Sequence, residues 1–451
     1  MTQSSADGVV TTGVVTTSTN RCIPTPSIVR ALTRAAEDDD PTTTTTTTTS
    51  DAVKAELKEA RAFVTALEDA FDKLLVASTS SSVLLACATH ALSSSMRHPA
   101  PWSDETAANA ASVAYEERFG KGAAASSEKT TCFKEICVAA IAPALLSSSS
   151  VKKDDGGNND SDLGRYGARV AVRQLLWCLS RDDVWTDSSD STVIATTALP
   201  CVLRAMDYPD EEVRIRGTQC ASELVERLYY YYKKEEGGGG FAAGQEQVLL
   251  DAARSCLIGA TEDLWPHALR VACDLTCIIG GESEVFRKTL TLALDSACLR
   301  AMDVKYATSV VECFPRLIQA AKACVVVHLK RLLPLLCGYM QSYKDEVAIG
   351  AADLLIVVVE YSWPRARAHC ERMWLPMKRA YAEADSRVGN NGELLRRRLE
   401  KLAALLQLAC GETFEKLCWK KEGDDVPEHA RGLVRFLESL PPRVVASEAS
   451  S

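Results

Sequence analysis

The chain has 451 residues, of which 47% are hydrophobic and 25% are charged, and its formal net charge is −9. This composition predicts a large folded body and excludes a chain that is disordered throughout. An acidic chain has no general attraction for phosphate backbones or anionic membranes, so we expect neither nucleic acid nor a membrane as a partner.

Residues 1–50 are predicted to be a disordered lead rich in Ser and Thr, because such a segment buries too little apolar area to offset its chain entropy. An N-terminal helical region is expected at 51–147, followed by a polar linker at 148–162. Helical stretches then alternate with short turns over 163–440, which predicts a helical repeat domain, and 441–451 is expected to be a disordered tail.

Two segments of the repeat domain share a pattern. Asp210–Gly217 and Asp345–Gly350 each combine an acidic start with a Val, an Ile two residues later and a Glu thirteen residues after the Val. The two valines, Val213 and Val347, are 134 residues apart (347 minus 213), about three steps of the roughly 40 to 47 residues of a HEAT unit. The predicted fold is therefore all-α, a HEAT/armadillo-like α-solenoid of antiparallel helix pairs, with candidate pairs at 210–260, 263–301, 303–341 and 345–382.

Both segments continue as helices with one apolar face, at Val213, Gly217, Cys220, Leu224 and Leu228, and at Val347, Ala351, Leu354, Leu355 and Val358. These helices are expected to end near Glu226 and Glu360. Pro209 fits a first helical position, and Asp303 and Asp345 fit N-caps.

The seventeen cysteines lie singly in apolar stretches and lack the spacing of a disulfide framework. Cys273 and Cys277 with His267 could supply three metal ligands, but the surrounding segment is apolar and no Cys-x-x-Cys pair occurs. We therefore interpret the cysteines as reduced core thiols. No catalytic motif is present either, so our prediction is a non-enzymatic protein without cofactor, metal or catalytic residues.

Arg396, Arg397, Arg398 and Lys401 form a basic cluster that could meet an acidic partner or nucleic acid. The interpretation that we favour is the solvated face of a helix whose other face is apolar, formed by Leu394, Leu395, Leu399 and Leu402.

The aromatic-Pro-Arg sequence occurs twice, at Phe314-Pro315-Arg316 and at Trp363-Pro364-Arg365. In the interpretation that we favour, the proline opens the next helix and the aromatic ring fills a groove between repeats. The alternative is an exposed contact, because aromatic residues and Arg are common interface anchors.

The second half of the chain resembles the family of TELO-two-interacting protein two, the small helical subunit of the TTT co-chaperone complex. The resemblance covers roughly 163–385 and is carried by Leu199–Gly217, by Ala307–Leu336 with its Phe-Pro-Arg and Leu-Leu-Pro-Leu-Leu motifs, and by Tyr361-Ser-Trp-Pro-Arg365.

The resemblance implies an adaptor that joins two larger helical-repeat subunits. With the ninety-kilodalton heat-shock chaperone, such an adaptor supports the stability and assembly of phosphatidylinositol-3-kinase-related kinases. The partner contact that it implies is Trp363, Pro364 and Arg365. Since residues 1–20 lack a basic region followed by an apolar block, we expect a cytoplasmic location, with the nucleus as a further one.

Two other functions fit the same sequence. A generic HEAT or armadillo adaptor, such as a transport or phosphatase scaffold, would show the same helical pattern. An enzyme whose site is assembled from distant residues around Cys273 is the third hypothesis.

Overall fold

The computed structural model describes Ala88 and residues 123–146, 160–181, 188–234, 244–280, 283–418 and 431–439. The predicted lead at 1–50, the tail at 441–451, most of the linker at 148–162 and, except for Ala88, the residues 51–122 of the predicted N-terminal helical region lie outside these residues.

The described residues form α-helices and contain no strand. A π-helical turn, Cys137–Ile141, joins α1 to α2, and two 3-10 segments, Lys322–His328 and Ala384–Ser386, border α10 and α12. The helices are α1 Ala123–Ile136, α2 Ala142–Leu146, α3 Asp160–Ser180, α4 Ser188–Met206, α5 Glu211–Lys234, α6 Gln245–Leu257, α7 Leu264–Ile279, α8 Ser283–Leu299, α9 Val304–Ala321, α10 Leu329–Tyr339, α11 Asp345–Ala366, α12 Cys370–Glu383, α13 Asn391–Cys410, α14 Glu412–Cys418 and α15 Arg431–Ser439.

The helices from α3 to α13 alternate between two layers. In the odd layer, α3, α5, α7, α9, α11 and α13 pack side by side in that order, and in the even layer α4, α6, α8, α10 and α12 do the same. Short connections make consecutive helices antiparallel. The protein is therefore an all-α, HEAT-like solenoid, as the sequence predicted.

The repeat step inferred from the sequence is confirmed. Val213 lies on α5 and Val347 on α11, which are three steps apart in the odd layer, and both side chains are fully buried. The matching Glu226 and Glu360 are both exposed. The helices are longer than expected, because α5 continues to Lys234 and α11 to Ala366.

Three of the expected helix pairs are offset by one helix. α4 packs closely on α5, α6 on α7, α10 on α11 and α12 on α13, whereas the segments 210–260, 303–341 and 345–382 were expected to be pairs. The connection between α4 and α5 has only four residues, and Gly217 lets their backbones approach closely, since a Cβ there would lie 2.7 Å from the Cβ of Ala205. A longer connection separates α5 from α6.

The N-cap predicted at Asp303 is confirmed, whereas Pro209 and Asp345 do not have the predicted positions in their helices. The Asp303 carboxylate accepts a hydrogen bond from the Lys305 backbone N–H at 2.9 Å, as an N-cap does. Pro209 lies before α5, and Asp210 receives the bond from the Val213 N–H at 3.2 Å. Asp345 makes no capping bond, because its carboxylate is bound by Arg387 and Asn391.

The chain divides into two compact units, Met1–Gly120 and Lys121–Ser451. α1 packs on α4, and α2 packs on both α3 and α4. The residues 123–146 therefore belong to the same unit as the helical array, whereas the sequence predicts a separate N-terminal region at 51–147. The sequence predicts a domain boundary here because the segment after Leu146 is long and polar, as domain linkers are.

Helix α11 is the most apolar of the long helices. By length and composition it could cross a membrane, with a mean hydropathy of 1.5. Most of its apolar residues before Ser362, however, are buried against α9, α10 and α13. Core packing accounts for the composition of this helix.

Candidate protein interface

The C-terminal end of α11 is kinked. Ser362 departs from helical geometry (φ −120°, ψ 15°), and its buried hydroxyl donates to the Val358 carbonyl at 2.6 Å. Pro364 follows the kink and has no N–H to give to a regular helix. The last turn, up to Ala366, is thereby turned away from the helix before it.

This kink exposes the three residues that the sequence singled out. Trp363 has 60% of its surface exposed, and Pro364 and Arg365 are exposed beside it. The predicted groove position for the ring is therefore wrong here. An exposed Trp next to an exposed Arg has the composition of an interface anchor.

The other aromatic-Pro-Arg sequence is built differently. Phe314 is fully buried, and Pro315 lies inside α9, which runs without interruption to Ala321. The prediction that Pro315 opens a new helix is wrong. The proline removes one backbone hydrogen bond from α9, and the packing of the buried face of α9 keeps the helix continuous. Arg316 is exposed and lies 3.7 Å from Asp274 of α7.

The surroundings of Trp363 are basic. Arg365, Arg367 and Arg372 follow it within nine residues, and Arg367 donates to the Thr413 hydroxyl at 2.6 Å. The pKa of His369 is lowered by burial and by the positive charges of Arg372 and Lys330. At neutral pH His369 is thus uncharged, and the charge of this surface comes from Arg and Lys.

The basic cluster on α13 is balanced by carboxylates. Arg396 pairs with Asp385, Arg397 pairs with Glu393 at 3.0 Å, and Arg398 reaches Asp353 of α11 at 3.0 Å. The predicted apolar face is formed by Leu395, Leu399 and Leu402, which are fully buried, whereas Leu394 is 39% exposed and was placed on the wrong face. Arg396 and Arg398 therefore bind neighbouring segments of the same chain, and Arg397 binds a carboxylate of α13 itself.

The proposed metal ligands all lie on α7, where Cys273 is buried and His267 and Cys277 are half-buried. Burial raises the pKa of the Cys273 thiol well above its usual value and that of Cys277 to about 11, so both are protonated at neutral pH. The His267 ring bonds to the Gln219 amide at 3.0 Å. Among the described residues, no group of three His, Cys, Asp or Glu side chains could hold a metal ion.

Comparison with known proteins gives only distant likenesses. No family model matches the chain, and no curated protein matches it. An engineered protein of known structure is 12% identical, with a TM-score of 0.37 over 55% of this chain and 93% of that chain. Kap121p is 12% identical in its complex with Pho4p (TM-score 0.41) and 11% identical in its complex with RanGTP (TM-score 0.43). Each Kap121p alignment covers 88% of this chain, which spans 39% of the Kap121p chain.

Proposed function

We propose that this chain is a non-enzymatic adaptor subunit of a TTT-like co-chaperone complex. The observation that carries the proposal is the exposed Trp363-Pro364-Arg365 turn at the edge of a two-layer helical array. A helical array offers an extended surface for other proteins and has no inherent chemistry. The family resemblance supplies the identity of the partners, which are two larger helical-repeat subunits.

In this proposal the turn docks on one of the large subunits. Trp363 inserts into an apolar pocket of the partner, and Arg365, with Arg367 and Arg372 nearby, meets carboxylates around that pocket. The complex then acts with the heat-shock chaperone machinery on phosphatidylinositol-3-kinase-related kinases, in the cytoplasm and the nucleus.

The test is affinity purification of the full tagged chain from its own cells, with quantitative mass spectrometry of the proteins recovered in equal amounts. We expect two large helical-repeat proteins, together with a chaperone or a very large kinase. A different dominant partner would select the generic adaptor instead, and recovery of the chain alone would contradict both.

The docking turn is tested by the double variant Trp363→Ala/Arg365→Ala, with Val248→Ser on the distant helix α6 as control. Val248 is 53% exposed, so neither change should alter the thermal unfolding midpoint by much. We expect the double variant to lose one large subunit and the control to keep both. Equal recovery from both variants would remove the turn from the interface.

A further inference from the structure

Exposed apolar side chains recur where the even helices connect to the odd ones. Each of four successive connections carries at least one, and together they form an apolar row made up of Ile258, Leu299, Met302, Tyr343 and Val388. Their exposed fractions run from 68% for Ile258 to 96% for Met302. Single exposed apolar residues are ordinary, but one in each of four successive turns is a repeated feature of this edge.

The connections that carry the apolar row touch one another. Lys305 binds Asp263 at 2.8 Å, across the first step, and Arg387 donates to the Ser342 carbonyl at 2.8 Å, across the last. Between the connections 300–305 and 340–346, α8 packs on α10 and α9 packs on α11. The row therefore runs along consecutive connections of one edge, with steps of about 8 to 10 Å between neighbouring helices.

The edge around the apolar row is acidic. The four connections that carry the row, 258–263, 300–305, 340–346 and 383–391, hold seven Asp and Glu residues against four Arg and Lys residues. Arg396 of α13 also binds Asp385 there, so the edge keeps an excess of two negative charges.

The part of the opposite edge that holds Trp363 has the reverse charge. Its segments 322–330 and 361–372 hold five Arg and Lys residues and one Glu. The length of α11 separates the two edges, with Tyr343 before its first residue and Trp363 near its last. The two surfaces therefore suit partners of different charge.

We propose that the apolar row binds a basic amphipathic helix of a partner protein. An apolar residue every seventh position of a helix advances about 10 Å, which matches the step between neighbouring connections. A helix of about 20 residues, roughly 30 Å long, spans the four connections. Lys and Arg beside its apolar stripe meet the acidic edge, whereas nucleic acid and anionic lipid are repelled. This surface is independent of the Trp363 turn and of the function proposed above.

Two synthetic helical peptides of 22 residues, long enough for four Leu residues, test the proposal. Both carry Leu at every seventh position, and the flanking positions are Lys in one peptide and Glu in the other. We expect the Lys peptide to bind the purified full chain, more weakly as salt is raised, and the Glu peptide not to bind. Equal binding of the two peptides, or no binding of the Lys peptide, would overturn the proposal.

The location of the bound peptide is tested by the triple variant Met302→Ser/Tyr343→Ser/Val388→Ser. These side chains are at least 82% exposed, so the circular dichroism spectrum should stay unchanged. We expect the dissociation constant of the Lys peptide to rise at least about tenfold, the size expected when interface anchors are removed. The control is the variant Val327→Ser/Trp363→Ser on the opposite edge, which should keep its affinity for the Lys peptide. If the control lost as much affinity as the triple variant, the peptide would not bind at the apolar row.

Discussion

The backbone of Gly350 on α11 lies directly against the side chain of Val311 on α9. A Cβ at position 350 would be 2.9 Å from both Cβ and Cγ2 of Val311, closer than such atoms approach. Gly217 makes a closer approach, in which the added Cβ would meet the backbone of Ala205 and Met206 at 2.7 to 2.8 Å. Two repeats three steps apart thus both use a glycine to bring neighbouring helices together.

We expect Gly217→Ala to destabilise the protein by about 1 to 3 kcal/mol, because the new methyl group meets backbone atoms that cannot move alone. Gly338→Ala is the matched control, since nothing lies within 4 Å of an added Cβ there. That change should stabilise the protein by about 0.5 to 1 kcal/mol through the lower chain entropy of alanine. Denaturant unfolding measures the free energy of unfolding of both variants. A gain in stability at both positions would contradict the close approach at Gly217.

Leu224→Ala should cost about 2 to 5 kcal/mol in the free energy of unfolding. Its side chain is fully buried on the apolar face of α5, so truncation removes buried area and leaves a cavity. Leu299→Ala provides the comparison, because Leu299 is 87% exposed and should change stability by less than about 0.5 kcal/mol. Similar thermal unfolding midpoints for the two variants would show that the face assignment is wrong.

The sequence predicted the helices and the repeat interval because both depend on local spacing. Val213 and Val347 mark equivalent positions, and the stripes that follow them are buried as expected. Which neighbour each helix packs on most closely depends on tertiary contacts such as Gly217 against Ala205, and helical periodicity does not encode these. The expected pairs were offset for this reason.

The candidate interface was predicted in part. Trp363 was singled out, but its exposure depends on the kink at Ser362, which no local motif specifies. The apolar row was missed, because Met302 and Tyr343 are separated by a complete repeat and come together only in the folded array. Apolar residues in polar turns were the available signal, and comparing equivalent turns would have found them.

Asp345→Ala should destabilise the protein by about 1.5 to 3 kcal/mol, the usual range for hydrogen bonds to charged groups. The Asp345 carboxylate accepts from Arg387 Nη1 at 2.5 Å and from Asn391 Nδ2 at 2.7 Å, and the Arg387 side chain is only 8% exposed. These bonds, the one from Arg387 above all, lower the pKa of Asp345.

The lowered pKa gives this prediction a pH dependence. The stabilisation is complete above the unfolded-state pKa of about 3.9 and is lost as the pH falls through the lower folded-state value. Glu284→Ala is the control, because Glu284 pairs with Arg287 on an exposed surface and should contribute less than about 1 kcal/mol. Thermal unfolding at pH 7 and at pH 3 measures both variants, and an equal effect of the two at pH 7 would contradict the prediction.

His328 should make the protein less stable as the pH falls below about 6.5, the pKa of an unperturbed histidine. The side chain is 6% exposed, and its pKa is lowered by burial and then by Arg331 and Arg287, with Asp295 acting in the opposite direction. The unfolded chain therefore binds a proton that the folded chain does not, so this contribution to stability is present above pH 6.5 and is lost towards pH 5.5.

The variant His328→Gln removes this contribution, which is at most about 1.4 kcal/mol per pH unit. We expect its unfolding midpoint to fall less than that of the wild type between pH 7.5 and 5.5, with His267→Gln as a second comparison, because burial lowers the pKa of His267 as well. Parallel curves for His328→Gln and the wild type would show that His328 titrates alike in the folded and unfolded chains.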